Sequence, residues 1–302
     1  MTGLVEGRAK RLPTAAAATP RIDRIAARRT GRRGGSHVWI HIVLGVGGFL
    51  MAFPFLWQII MSLSTNAQVQ SVTPSFWPGQ LQWGNYAEVF ERLPFLSQLW
   101  TSILVTLIRT AAQILLCTFA GYAFARMRFR GRGILLAIVL SILLVPSQVY
   151  LISQYQIVQG LGWLDTLMGI VAPGLFSAFG TFLMRTAFLS MPAELEEAAR
   201  MDGANPFQTF WRIMLPLARP SISVLAITTV LWSWNELLWP LVVSTRAEDM
   251  PLAAGLATLS GDRTIDYPVL MAASLMAMAP VLIMFIVLQR RVIDGLASSG
   301  LK

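Results

Sequence analysis

The chain has 302 residues, 55% of them hydrophobic and only 13% charged, against about 25% charged in a soluble globular chain, so composition places it in the membrane class. The net charge of +9 does not argue for nucleic acid: eight Arg and one Lys lie before residue 34 and four more Arg stand at 126, 128, 130 and 132, each cluster abutting an apolar run. The only lysines are Lys10 and Lys302, so no glycine-rich phosphate loop with a following Lys exists and a P-loop ATPase is excluded.

Residues 1–38 are rich in Arg, Ala and Gly and poor in apolar residues. They read as a disordered, basic, cytoplasmic tail, with binding to anionic lipid as the functional alternative. The apolar run that follows begins too late and is too long for a cleavable signal peptide. His37 and His41 could share one face of a helix, but no carboxylate or thiol lies near enough in sequence to complete a metal site.

A helix needs about 20 apolar residues to cross the hydrocarbon core. Six segments qualify, at approximately 39–61, 98–125, 133–153, 167–189, 221–244 and 270–289. Their backbones must satisfy their own hydrogen bonds in lipid, which predicts helices, with Pro54, Pro146, Pro173, Gly180 and Pro280 as interior kinks. Basic residues concentrate in the amino-terminal tail, the 126–132 loop, the 190–219 loop and the Arg290-Arg291 start of the carboxyl tail. The opposite loops hold Arg92 alone in 62–97, none in 154–166, and Arg246 and Arg263 in 245–269. Only six spans with both termini cytoplasmic put every rich segment on one side. The fold class expected is therefore all-α, a polytopic membrane protein with six transmembrane helices. Cys117 lies alone in an apolar run and cannot form an intrachain disulfide.

The 190–220 loop is unlike the others. Pro192 precedes Glu194, Glu196 and Glu197, and acidic residues at a helix start complement its dipole. Asp202-Gly203 predicts a helix end, and Asn205-Pro206 predicts a second start. Phe207, Phe210, Trp211 and Met214 follow at helical spacing before Leu215-Pro216, and Pro220 opens the fifth apolar segment. A mixed-charge helix–turn–helix between two spans suits docking into a partner's groove, although a linker resting on the membrane surface has the same composition.

A resemblance favours docking. Glu197-Ala198-Ala199, three residues, Gly203, nine residues, Ile213, one residue and Leu215-Pro216 resemble the EAA loop of permease subunits in binding-protein-dependent ABC importers. Further stretches resemble the maltose-transporter type of carbohydrate permease. These are Pro74-Ser75-Phe76-Trp77-Pro78 with Asn85-Tyr86, Gly121-Tyr122-Ala123-Phe124-Ala125-Arg126 with Phe129-Arg130-Gly131, Trp234-Asn235-Glu236, and Ile293-Asp294-Gly295-Leu296.

The resemblance implies a permease domain over 39–302 of the type I importer fold, in a bacterial inner membrane. It implies a second homologous permease, an ABC ATPase dimer and an extracytoplasmic sugar-binding protein as partners, with ATP and Mg²⁺ bound by the ATPase and no cofactor in this chain. By the same resemblance Glu197, Ala198, Ala199, Asp202 and Gly203 would sit in the ATPase groove, while Ile213, Leu215 and Pro216 would brace the loop.

Polar side chains within a span are costly and mark functional candidates. Arg109, Asn235 and Glu236, with Trp232 and Trp234, are candidates for a sugar pathway, since aromatic faces and hydrogen-bonding groups suit a sugar ring. Gln148 and Tyr150 are weaker candidates near the third segment's outer end. An interhelical ion pair or a snorkelling side chain is the competing role for Arg109, and a lipid-facing belt for the tryptophans. A secondary transporter would need an ion-coupling carboxylate, for which Glu236 is the one candidate, and the inverted repeats common in such folds are not evident. A membrane enzyme would need paired acids, a nucleophile with its base, or a metal cluster, none of which the sequence presents.

Overall fold

The computed structural model describes residues 37–72, 77–261 and 265–299, which are mostly helical with no strand among them. The 1–38 tail, apart from its last two residues, and Pro74-Ser75-Phe76 lie outside the described residues. Contacts divide the chain into two units, 1–53 and 54–302. In the first, the described residues are the opening turns of a helix, α1 (His37–Ser62), in which Phe49 and Phe53 pair with ring centroids 6.3 Å apart.

The second unit carries the other elements. Among them are α2 (Gly84–Arg92), α3 (Phe95–Arg126), α4 (Arg132–Ser141), α5 (Ser147–Gly160), α6 (Leu167–Val171), α7 (Ala178–Leu189), α8 (Glu194–Met201), α9 (Pro206–Thr209), α10 (Arg219–Trp234), α11 (Leu238–Val243), α12 (Leu252–Ser260) and α13 (Tyr267–Ser299). Among the described residues three helical stretches are long and apolar enough to cross a membrane: Val38–Ser62, Phe95–Arg126 and Tyr267–Met284. Three bent pairs, Arg132–Leu144 with Ser147–Gly160, Leu167–Gly174 with Ala178–Leu189, and Pro206–Leu217 with Arg219–Trp234 at 71°, raise this to six if each pair is one span.

The bends correct the expectation of uniformly kinked, continuous helices. Pro54 and Pro280 do lie inside unbroken helices. Pro146 instead ends one: Ile142–Leu144 tightens into a 3₁₀ turn, Val145 is extended, and α5 leaves at 106°. The residue before a proline is pushed out of the helical region, and proline has no N–H to continue the ladder, so nothing holds the two halves straight. Pro173 sits in a second 3₁₀ turn, Ala172–Gly174, before a 41° bend into α7. The fifth segment also fails to run through: α10 ends at Trp234 and the chain restarts as α11 at Leu238.

The long α3 helix is the centre of the second unit, packed by α7 and α10. Small residues permit the crossings. A Cβ on Gly121 would lie 2.6 Å from the Met184 Cβ, and one on Gly180 would lie 2.8 Å from Leu225 Cδ1. Close backbone approach at Gly and Ala is how helices associate in lipid, where the hydrophobic effect does not drive them together. At one end of α3 a core of Val89, Phe95, Leu252 and Val269 joins α2, α12 and α13. There Asn85 donates to the Ser62 and Ser64 carbonyls at 2.8 and 3.0 Å, and the Tyr86 and Ser62 hydroxyls meet at 2.8 Å. At the other end a second core carries the α8–α9 loop.

Candidate functional site

The α8–α9 loop is an outward-facing structure on a buried base. Helix α8 starts with Glu194, Glu196 and Glu197 in its first turn and ends at Asp202. Gly203 then adopts φ 79°, so that its N–H reaches the Arg200 carbonyl at 3.0 Å and the Ala204 N–H reaches that of Ala199 at 2.9 Å. This is the paired hydrogen bonding of a left-handed helix stop, which glycine adopts without a Cβ clash. Asn205 caps the next start: it accepts from the Gln208 N–H at 2.8 Å, while Gln208 accepts from the Asn205 N–H at 3.0 Å.

Beyond Thr209 the helix widens into a π turn over Phe210–Met214, which the sequence reading did not anticipate. Pro216 gives the local reason: it lacks an N–H for the Arg212 carbonyl, and its ring crowds that group. The wide turn buries both Phe210 and Met214 against Cys117, Met184 and Phe188, with Ile213 and Leu215 packed on the same cluster. The Phe210 ring stacks on Phe119 at 5.1 Å and meets Tyr122 at 4.9 Å. The loop is thereby fastened to the ends of α3 and α7.

Charge fastens the other side. Arg126, the last residue of α3, donates to the Phe188 carbonyl at 2.7 Å and to that of Met191, and lies 3.5 Å from the Glu196 carboxylate. Arg200 approaches the same carboxylate at 3.6 Å. Glu196 is buried and so is Ala199, which places Ala199 on the inner face of α8. Glu197, Ala198, Asp202 and Gly203 are exposed, and Ile213, Leu215 and Pro216 are half-buried. The predicted set therefore divides, with four residues presented outward and Ala199 turned in with the bracing residues.

The second cluster forms at the break between α10 and α11. Asn235 closes α10, its side-chain amide donating to the Leu231 carbonyl at 2.8 Å. The next residue, Glu236, pairs with the buried Arg109 of α3, which also donates to the Ile170 carbonyl. Arg109 packs so closely on Gly174 that a Cβ there would lie 2.4 Å from its Nε. Gln113, one turn on, donates to the Gly174 carbonyl at 2.8 Å and accepts from the Thr229 hydroxyl at 2.9 Å. One guanidinium thus holds together α3, the 170–174 turn and the α10–α11 break.

This pair forms a wall between two cavities. One, of about 400 Å³, is lined by Gln113, Trp232, Ser233 and Asn235 as well as the pair itself. The other, of about 520 Å³, is lined by Tyr150, Gln154, Trp163 and Trp239 together with the same two charges. Trp234 lines neither cavity; its indole N–H donates to the Ala277 carbonyl at 3.2 Å. Gln148 is exposed and lies outside both. Gln113, Thr229 and Ser233 were absent from the sequence candidates. Their signal was spacing, since Gln113 lies four residues after Arg109 and Ser233 four after Thr229, on shared helix faces.

A bundle of apolar helices with an exposed, acid-tipped helix–turn–helix fastened to its central helix has the architecture of a multi-helix membrane component. Residues 113–296 match the family of binding-protein-dependent transport system inner membrane components, and the chain belongs to that family. It is 34% identical over 261 residues to the arabinooligosaccharides transport system permease protein AraQ of Halalkalibacterium halodurans, covering 84% of this chain and 92% of that protein. It is 30% identical over 275 residues to the sn-glycerol-3-phosphate transport system permease protein UgpE of Pectobacterium atrosepticum, covering 88% and 98%. The lactose transport system permease protein LacG of Rhizobium radiobacter is 29% identical over 257 residues, covering 85% and 93%. Among solved structures, a bacterial ABC transporter involved in the import of the acidic polysaccharide alginate superposes with a TM-score of 0.73 at 26% identity, over 84% of this chain and 95% of that one.

Proposed function

We propose that the chain is one permease subunit of an ATP-driven carbohydrate importer in a bacterial inner membrane. The observation that carries the reading is the α8–α9 loop, whose exposed residues ride on a buried aromatic base within a family of binding-protein-dependent permeases. The domain organisation is a basic tail over 1–38 and a permease domain over 39–302. Six spans cross the membrane with both termini cytoplasmic. The third span includes the bend at Pro146, and the fifth is α10 continued by α11.

The partners are a second homologous permease, a dimer of ABC ATPases and an extracytoplasmic sugar-binding protein. ATP and Mg²⁺ are held by the ATPases, and this chain contributes no catalytic group. Glu197, Ala198, Asp202 and Gly203 contact the ATPase groove. Ala199, Ile213, Leu215 and Pro216 hold the loop in shape from beneath. When ATP draws the ATPases together, α8 is carried with them, and Arg126 and the aromatic base transmit that movement to α3 and α7. The bundle then exchanges one facing for the other, with the ligand shifting a two-state population.

The cavity beside Trp232, Ser233 and Asn235 is the pathway element in this subunit, where the exposed indole offers a sugar its apolar face. Arg109 and Glu236 set the wall of that cavity rather than offering a free charge. Their pairing removes the ion-coupling carboxylate that a secondary transporter would need.

The test is purification from native membranes followed by identification of the associated proteins, then reconstitution. Recovery of a second six-span permease and a P-loop ATPase, with sugar uptake that requires ATP and the binding protein, is the expected result. Uptake by this chain alone, without ATP, would overturn the reading.

A further inference from the structure

The 126–132 turn forms one bank of a groove. The other bank is the coupling helix α8. The groove has a volume of about 680 Å³ and is lined by Arg126, Arg128, Arg132 and Arg200 against two carboxylates, Glu196 and Glu197. Glu196 is already bracketed by Arg126 at 3.5 Å and Arg200 at 3.6 Å. Arg132 gives one N–H to the Met127 carbonyl at 3.1 Å. Among the described residues neither Arg128 nor Arg132 has a carboxylate within ion-pair distance. Gly131 at φ 81° makes the turn that brings these two side chains to the same bank.

Cationic groups facing each other across a gap repel unless an anion lies between them. The position of the groove says which anion. It opens where α3 ends at Arg126 and α4 begins at Arg132, the level at which apolar helix gives way to polar loop. At its mouth Met127 is 51% exposed, and the first turns of α4 continue outward with Ile134 and Ile138, 71% and 62% exposed. A phosphate on a lipid would gain both the arginines and this apolar flank, whereas a free phosphate would gain only the first.

We propose that the groove binds the phosphate headgroup of an anionic phospholipid, which bridges Arg128 and Arg132 to Arg200 and so holds the coupling helix against the α3–α4 turn. Basic pockets between membrane helices at the cytoplasmic interface bind such headgroups by this chemistry. The choice of leaflet rests on the importer orientation given above. The binding itself does not, because it can be read without transport.

The test is native mass spectrometry of the purified full chain exposed to phosphatidylglycerol or phosphatidylcholine of the same acyl composition. The expected result is preferential retention of phosphatidylglycerol by roughly tenfold or more. That preference should disappear in Arg128→Gln/Arg132→Gln and persist in Arg130→Gln/Arg212→Gln, which removes the same charge from outside the groove. Equal loss in both double variants would overturn the proposal in favour of diffuse surface attraction. Displacement of the lipid by millimolar inorganic phosphate in the unmodified chain would overturn it in favour of a soluble anion. Loss of a co-purifying protein from the groove variant with lipid retention unchanged would assign the groove to that partner instead. None of these readouts depends on sugar uptake, so the importer reading and this site can fail separately.

Discussion

The Arg126 guanidinium lies 3.5 Å from the Glu196 carboxylate, joining the last residue of the central helix to the inner face of the proposed coupling helix. Both side chains are largely buried, and Arg126 also holds the Phe188 and Met191 carbonyls. Removing one partner of such a pair leaves an uncompensated charge, worth about 3 kcal/mol. Arg126→Gln should therefore loosen the loop and lower the ratio of sugar transported to ATP hydrolysed in the reconstituted complex. Glu196→Gln should do the same to a smaller degree, because Arg126 keeps its carbonyl partners. An unchanged transport ratio in both variants would remove this pair from the coupling path.

Gly203 is exposed and a Cβ there would meet nothing within 4 Å, but its φ is 79°. A side chain at that position meets no packing clash and costs about 1 kcal/mol of backbone strain or less for Asp, which like Asp165 tolerates the left-handed region. Gly203→Asp adds a negative charge beside Asp202 as well. The variant should insert normally and reach wild-type abundance in the membrane while sugar uptake falls to near background. Immunoblotting of membranes beside radiolabelled uptake separates the two effects. Normal uptake would count heavily against docking through this turn.

What could be read from the sequence was set by local chemistry. The Asp202-Gly203 stop and the Asn205-Pro206 start were legible because each depends on a few adjacent backbone bonds. The apolar segments were legible because lipid demands length and apolarity of any helix that crosses it. The straightness of those segments was not. Pro54 and Pro280 lie within continuous helices while Pro146 ends one, and that outcome depends on what packs around each bend. Arg109 was legible as an expensive residue but not as a partner of Glu236, which lies 127 positions away. The inward face of Ala199 likewise follows from the buried Arg126–Glu196 contact, which the linear motif does not encode.

The Arg109–Glu236 pair lends itself to a double-mutant cycle. Arg109 is buried and Glu236 half-buried, and Arg109 also ties down the Ile170 carbonyl. Glu236→Gln leaves a buried guanidinium without its counter-ion and should destabilise the purified protein by about 3 kcal/mol. Arg109→Met combined with Glu236→Gln removes both charges and should be less destabilising than the sum of the two single changes, by about 1 kcal/mol or more. Thermal unfolding in detergent measures all three variants. Strict additivity would show that the two groups act independently, and the shared wall between the cavities would lose its explanation.

Asp165 supplies the pH-dependent case. It sits at φ 56°, and its carboxylate accepts the Thr245 N–H, the Thr245 hydroxyl at 2.9 Å and the Arg246 N–H at 3.3 Å, clipping the 161–166 turn to the end of α11. The Thr245 backbone N–H is the chief cause holding this carboxyl below its ordinary range, followed by the Thr245 hydroxyl, with the Arg246 N–H and charge adding less. A depressed folded-state pKa gives stability that is fully present above the ordinary carboxylate value of about 3.9. That stability is lost as pH falls through the lower folded value. Asp165→Asn is the clean comparison, since Asn also tolerates a left-handed backbone while lacking the charge. The melting temperature of the wild-type chain should exceed that of the variant by a constant margin from pH 8 to about pH 5 and converge with it only in stronger acid. A margin that already shrinks between pH 7 and 5 would mean the carboxyl is not held low, and the clip would then owe its strength to the Arg246 guanidinium, which donates to the Asp165 carbonyl at 3.0 Å.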